Sequence, residues 1–238
     1  MSETRSISIP AALLLALGLA VCGWFVGGGI RYFKDAERYV SVKGLAEREV
    51  PANLAIWPIV YTVSGNDLSD LQLRLEADSR KVADYLGAQG FTADDFSVSA
   101  PRVADNAPQG GIDGRAPRER YQVETTTILR TRRVAEARRA MEQSGALVKE
   151  GVRVVRSWEY NTQYFFTGLD EIKPAMIAEA TADARRAAEK FAQDSGARVG
   201  GIRRAQQGYF SIEDRDPFSP EQKRIRVVTS IDYLLIGD

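Results

Sequence analysis

Histidine is absent from all 238 residues, and cysteine occurs once, at Cys22. Without histidine the chain lacks the commonest general base, the usual partner of a nucleophilic serine or cysteine, and the commonest metal ligand. One cysteine permits no disulfide within the chain, so cysteine usage carries no information about redox compartment. Cys22 reads as a small hydrophobe. Net charge is missing too: 32 Lys and Arg balance 32 Asp and Glu. That removes the strongly basic footprint that nucleic-acid binding needs. No serine stands in a G-x-S-x-G turn. The acidic pairs Asp94-Asp95, Asp170-Glu171 and Glu213-Asp214 each fall at an expected cap or turn. The stretch 105–117, DNAPQGGIDGRAP, has too little apolar content to pack and reads as a mobile loop. It lacks the Lys-Ser/Thr that ends a P-loop and the Rossmann glycine spacing. The expectation is no catalytic residue set, no metal and no cofactor. A carboxylate pair of the glycosidase kind stays open, because its spacing is three-dimensional.

What is present is one long apolar run. Residues 10–30, PAALLLALGLAVCGWFVGGGI, carry no charge. At a helical rise of ~1.5 Å per residue, roughly 21 residues span about 30 Å, the thickness of a bilayer's hydrocarbon core. A helix satisfies its own backbone, so such a segment can lie in lipid. Ser8 suits a cap and Pro10 a first turn, and Arg31, Tyr32, Lys34 and Arg38 follow as headgroup-level anchors. The reading is a tail over 1–9, an anchor helix over 10–30 that takes the lipid bilayer as partner, and a linker over 31–38. Three alternatives stay open. One is a signal peptide cut near Gly18 and Ala20. Another is a lipobox at Leu19-Ala20-Val21-Cys22, with Val21 where a small residue is wanted. The last is a buried soluble helix. Gly23 and Gly27 form a G-x-x-x-G pair, a candidate contact between two membrane helices. The positive charges after the run outnumber those before it, which by itself places the remainder in the cytoplasm.

Residues 39–238 read as one soluble module. Strands are expected over 39–50 and 54–64, with Pro58 marking an edge or a bulge. A helix capped by Asn66 or Asp67 runs to about 86. Strands follow over 96–103 and 120–130. A helix capped by Thr131 reaches about 144, and another strand covers 152–166. A long helix over 174–195 carries the small-residue stripe Ile177, Ala180, Ala184, Ala187, Ala188 and Phe191. Strands over 197–210 and 225–236 close the chain, joined through the polar segment 211–222. This order lacks the strict alternation of a doubly wound sheet. It predicts an α+β fold: a largely antiparallel sheet with helices on one face.

The arginine pairs Arg132-Arg133, Arg138-Arg139 and Arg185-Arg186 are expected on helix faces, paired with Glu136, Glu142, Asp183 and Glu189. Tyr164, Phe165, Phe166, Tyr209 and Phe210 sit at strand ends beside loops. They are candidate partner or oligomer contacts, with core packing as the alternative.

Three segments together resemble the SIMPL-domain family of bacterial envelope proteins. They are residues 40–55, VSVKGLAEREVPANLA; the helix 178–196, AEATADARRAAEKFAQDSG, with Ala197-Arg198-Val199-Gly200 after it; and the closing strand 226–236. The loop Asp216-Pro217-Phe218-Ser219-Pro220 departs from the family's proline-glycine turn. The resemblance implies an α+β domain exported across the inner membrane and ring-like or cage-like homo-oligomers. It also implies a role in envelope stress and no assigned catalytic residue. It argues for the periplasmic side, against the charge count. The expected function is thus a non-enzymatic, membrane-anchored protein whose partner is a second copy of itself. The alternative is a binding module for a lipid, a peptide or a partner protein.

Overall fold

The computed structural model describes residues 16–26, 38–106, 119–156 and 159–237. Of the apolar run over 10–30, residues 16–26 form a helix, α1, with every side chain exposed. The rest of the run, Gly27 included, lies outside the described residues, as do the linker over 31–37 and most of the loop over 105–117. Among the described residues no helix is long and apolar enough to cross a membrane.

The sheet expected to be single is two sheets. By its contacts the chain divides into two compact units. One takes the residues up to 47, 172–211 and 226 onward; the other takes 48–171 and 212–225.

In the second unit the sheet order is β3-β5-β2-β6, with β4 also on β5. The strands are β2 (Leu54–Gly65), β3 (Phe96–Val98), β4 (Arg102–Asp105), β5 (Tyr121–Thr131) and β6 (Gln163–Phe165). β2 and β5 pair antiparallel without interruption from Ala55↔Thr131 to Gly65↔Tyr121. Alternation then places Ala55, Trp57, Ile59, Tyr61 and Val63 on one face, where Leu129 and Val123 of β5 join them. Helix α2 (Leu68–Ala88) covers that face with Leu71, Leu75, Val82 and Leu86, all buried. Asp67 starts it, its carboxylate accepting from Ser69 N at 2.7 Å and Asp70 N at 3.0 Å. Helices α3 (Val134–Gln143) and α4 (Gly145–Lys149) add Ala137, Ala140 and Leu147 to the same core. Each large side chain so buried contributes about 1.5–3 kcal/mol.

The strand expected over 152–166 is broken, and Pro58 explains the break. Thr62 N donates to Arg153 O and Val155 N to Val60 O, so the even residues of β2 turn their backbone groups outward. Pro58 faces the same way and has no N–H to give. The third strand therefore pairs at Tyr61↔Val154, leaves the sheet, and returns as β6 opposite residues 54–56. The strand expected over 96–103 is likewise two short ones, β3 and β4, both on β5.

The other sheet has the order β1-β9-β7, from β1 (Tyr39–Pro51), β7 (Ala197–Gln207) and β9 (Gln222–Gly237); β8 (Ser211–Asp214), expected as part of a polar connection, also pairs with β9. β7 runs antiparallel to β9. Helix α5 (Leu169–Asp194) begins before Pro174, which lies inside it at the cost of one i→i−4 hydrogen bond. Gly196, at φ +66°, ends it as the sequence suggests. The expected stripe holds at Ala180, Ala184 and Ala188, all fully buried, and fails at Phe191, which is exposed. Small residues let α5 lie close on the sheet, where Val42, Ile231 and Tyr233 join Ala184 and Ala188 in one cluster.

Candidate functional site

The two edges of the first unit's sheet are treated differently. On β1, Leu45 points its N–H outward, and the Asp183 carboxylate of α5 accepts it at 3.0 Å. That hydrogen bond first, and then Arg186 at 2.8 Å, hold Asp183 below the ordinary 3.8. At Leu45 the β1 edge thus meets a charged side chain instead of a free N–H, a device that discourages further strand pairing there.

The opposite edge is open. β7 ends the sheet order, and residues 201–207 are all exposed. Register irregularities at Val199, Ile202 and Arg204 twist its first half. Beyond them pairing with β9 is regular from Arg204↔Asp232 to Gln207↔Thr229. This short ribbon has no described strand beyond it, so its outward N–H and C=O groups form a template for another strand. Arg203 lies 4.4 Å from the ring centre of Tyr39, and Ile202 stands 53% exposed. Just past the strand, Tyr209 is fully exposed.

The other expected contact residues separate. Tyr164 is buried in the second unit's core, its hydroxyl 3.6 Å from Met141 Sδ; burial pushes that phenol's pKa up. Phe165 is partly exposed on β6, and Phe166 and Phe210 are half-buried. Gly23 lies on the exposed face of α1 with no described atom near it.

A third feature is the junction between β5 and α3. The expected cap, Thr131, lies two residues too early. The helix starts after Arg133, while Thr131 Oγ1 accepts from Arg133 N at 3.1 Å. Arg132 and Arg133 therefore belong to a turn, not to a helix face. Arg133 donates to Gly90 O at 2.9 Å and to Asp95 at 3.0 Å, and it lies 4.8 Å from the Phe91 ring centre. A cavity of about 480 Å³ opens here, lined by Arg130, Arg132, Arg133, Thr131 and Asp95 among others. Sequence reading missed it because the pairing rule for helical arginines was applied to residues outside the helix. The pairs that do lie on helices behave as expected. Arg185 meets Glu189 at 3.1 Å, and Arg138 meets Glu142 at 3.7 Å and Glu221 at 2.8 Å.

The acidic pairs are mostly structural. Asp95 closes a capping box with Thr92, whose N–H is the main cause of its lowered pKa. Asp170 and Glu171 open α5. Glu213-Asp214 lies within β8 rather than a turn, and Asp214 pairs with the buried Lys223. Among the described residues no group of three or more His, Cys, Asp or Glu is placed to hold a metal ion.

Comparison with curated proteins finds none that matches the chain. A family model, SIMPL, described as a protein of unknown function (DUF541), matches residues 40–233, which take in both units of the fold. The stripe of α5 and most of the closing strand β9 fall inside that match, and the chain belongs to the SIMPL family.

Proposed function

We propose that this chain is a membrane-tethered structural protein that works by assembling with copies of itself rather than by catalysis. The observation that carries the reading is the contrast between the two edges of the first unit's sheet. On one, Asp183 occupies the Leu45 N–H; the other, β7, presents a regular and exposed ribbon at 204–207. Two such ribbons pair antiparallel with all their backbone groups satisfied, and Ile202 and Tyr209 beside them supply apolar contact.

The tether is the apolar run over 10–30. On the described helix α1, Leu17, Trp24 and Phe25 stand 64%, 83% and 75% exposed, an apolar rod without protein cover. Lipid is the solvent that suits such a surface. In this reading the run spans the bacterial inner membrane once, with the α+β part on the periplasmic side. Its assemblies are rings or cages that serve the envelope under stress. A translocated domain of this length overrides the small charge bias at the flanks. Tethering many copies by one anchor each also multiplies attachment without any new contact.

The experiment is cysteine crosslinking of the full-length chain in mild detergent. In a Cys22→Ser background, Gln206→Cys is expected to form intermolecular disulfides, and Glu179→Cys on α5 is not. Equal crosslinking at the two positions removes the β7 interface.

A binding module is the second reading, favoured by one residue: Tyr209, fully exposed at the end of β7. It takes a lipid, peptide or partner protein on that ring. Tyr209→Ala abolishing co-purification of such a ligand, with assembly unchanged, selects it.

A further inference from the structure

The cavity at the β5–α3 junction combines features that point to one ligand chemistry. Arg133 and Asp95 on its wall neutralise each other, and Arg133 is further committed to Gly90 O and the Phe91 ring. Asp95 Oδ2, which meets Arg133, also accepts from Thr92 N at 2.8 Å and from Thr92 Oγ1 at 3.0 Å. Arg130 and Arg132, by contrast, line the cavity without a hydrogen bond or ion pair to any described residue. Thr131, between them in sequence, is almost fully buried opposite Ala55 on the core face of β5, and its Oγ1 accepts from Arg133 N. The walls thus carry three guanidiniums against one carboxylate. Glu136 belongs to a neighbouring cavity of about 540 Å³ that also borders Arg132.

We infer that this cavity binds a phosphate group, with Arg130 and Arg132 as its guanidinium contacts. Two guanidinium forks offer more donors than a carboxylate's two oxygens can take, and phosphate, with more oxygens, suits that set. About 480 Å³ leaves room for a small organic group on the phosphate. Free phosphate esters and lipid headgroups share this chemistry.

The test is calorimetric titration of the full-length chain in mild detergent, at ionic strength held constant with chloride. Two probes are used: inorganic phosphate, and glycerophosphoglycerol as a soluble lipid headgroup. Saturable binding of either supports the site, and the tighter probe names the source. The double variant Arg130→Gln with Arg132→Gln is expected to weaken binding at least tenfold, while Arg185→Gln on α5 changes nothing. Both cavity arginines are exposed, and the variant's fold is checked by its unchanged Tm. Arg130→Lys with Arg132→Lys, which keeps the charge, is expected to weaken binding less and serves if the Gln pair fails to fold. No saturable binding of either probe at millimolar concentration overturns the inference. So does a double variant that binds within twofold of the parent.

Discussion

Gly44 of β1 and Ala184 of α5 meet at a distance that no side chain at position 44 could share. A Cβ on Gly44 would lie 2.5 Å from Ala184 N and 1.9 Å from Ala180 O. This glycine is the place where helix and sheet touch backbone to backbone. Gly44→Ala must push α5 away from β1, and overpacking of this kind costs about 1–3 kcal/mol or more. A fall in Tm and in the urea midpoint checks it. Gly87→Ala, inside α2 with open space around it, is the control and is expected to leave stability unchanged or raise it by about 0.5–1 kcal/mol.

Tyr85 of α2 donates its hydroxyl to Ala140 O of α3 at 2.5 Å, inside the core. Tyr85→Phe strands a buried carbonyl and is expected to cost about 1–3 kcal/mol in chemical denaturation. Leu147→Ala in the same core removes a fully buried side chain, at about 2–5 kcal/mol.

Asp183 and Asp95 set an acid limb. Backbone hydrogen bonds from Leu45 and Thr92 respectively lower each carboxylate below 3.8 in the folded chain. A depressed folded value means the stabilisation is fully present above about 3.8 and is lost as pH falls through the folded values. Asp183→Asn, with Asp95 retained, is therefore expected to flatten the stability profile below pH 4 and to leave its shape unchanged above pH 6. Urea midpoints measured across that range check the sign.

Pro58 gives the opposite kind of prediction. Its ring faces the outer side of β2, where the neighbouring strand is interrupted, and the β2–β5 ladder lies on the other side. Pro58→Ala removes no hydrogen bond, so stability is expected to change by no more than about 1 kcal/mol. A central-strand proline would not be so neutral. Amide exchange at residues 153–155 and 163–165 reports whether the third strand closes over the gap.

The legible parts of this chain were those governed by one local rule. The α2 cap at Asp67, the alternation of β5 and β9, and the alanine stripe of α5 follow from period and cap chemistry alone. What sequence could not give was the number of sheets, because alternation does not say which strand pairs with which. Pro58 carried the right warning about β2, but its consequence fell on the partner strand after Val154, far along the chain. Tyr164 and Tyr209 looked alike as strand-end aromatics, yet one fills a core and the other meets water. Burial depends on the partner element, and neither residue's neighbours in sequence name it. The arginine junction was missed because a two-residue error in the start of α3 moved Arg132 and Arg133 from a turn to a helix face.

The central claim is assembly from a membrane tether, and the mass of the full-length chain extracted in mild detergent tests it most directly. The account predicts a defined multiple of the chain mass at micromolar concentration, reduced to smaller species when Ala205→Pro disrupts the β7 ribbon. A stable monomer, or an assembly indifferent to that substitution, contradicts it.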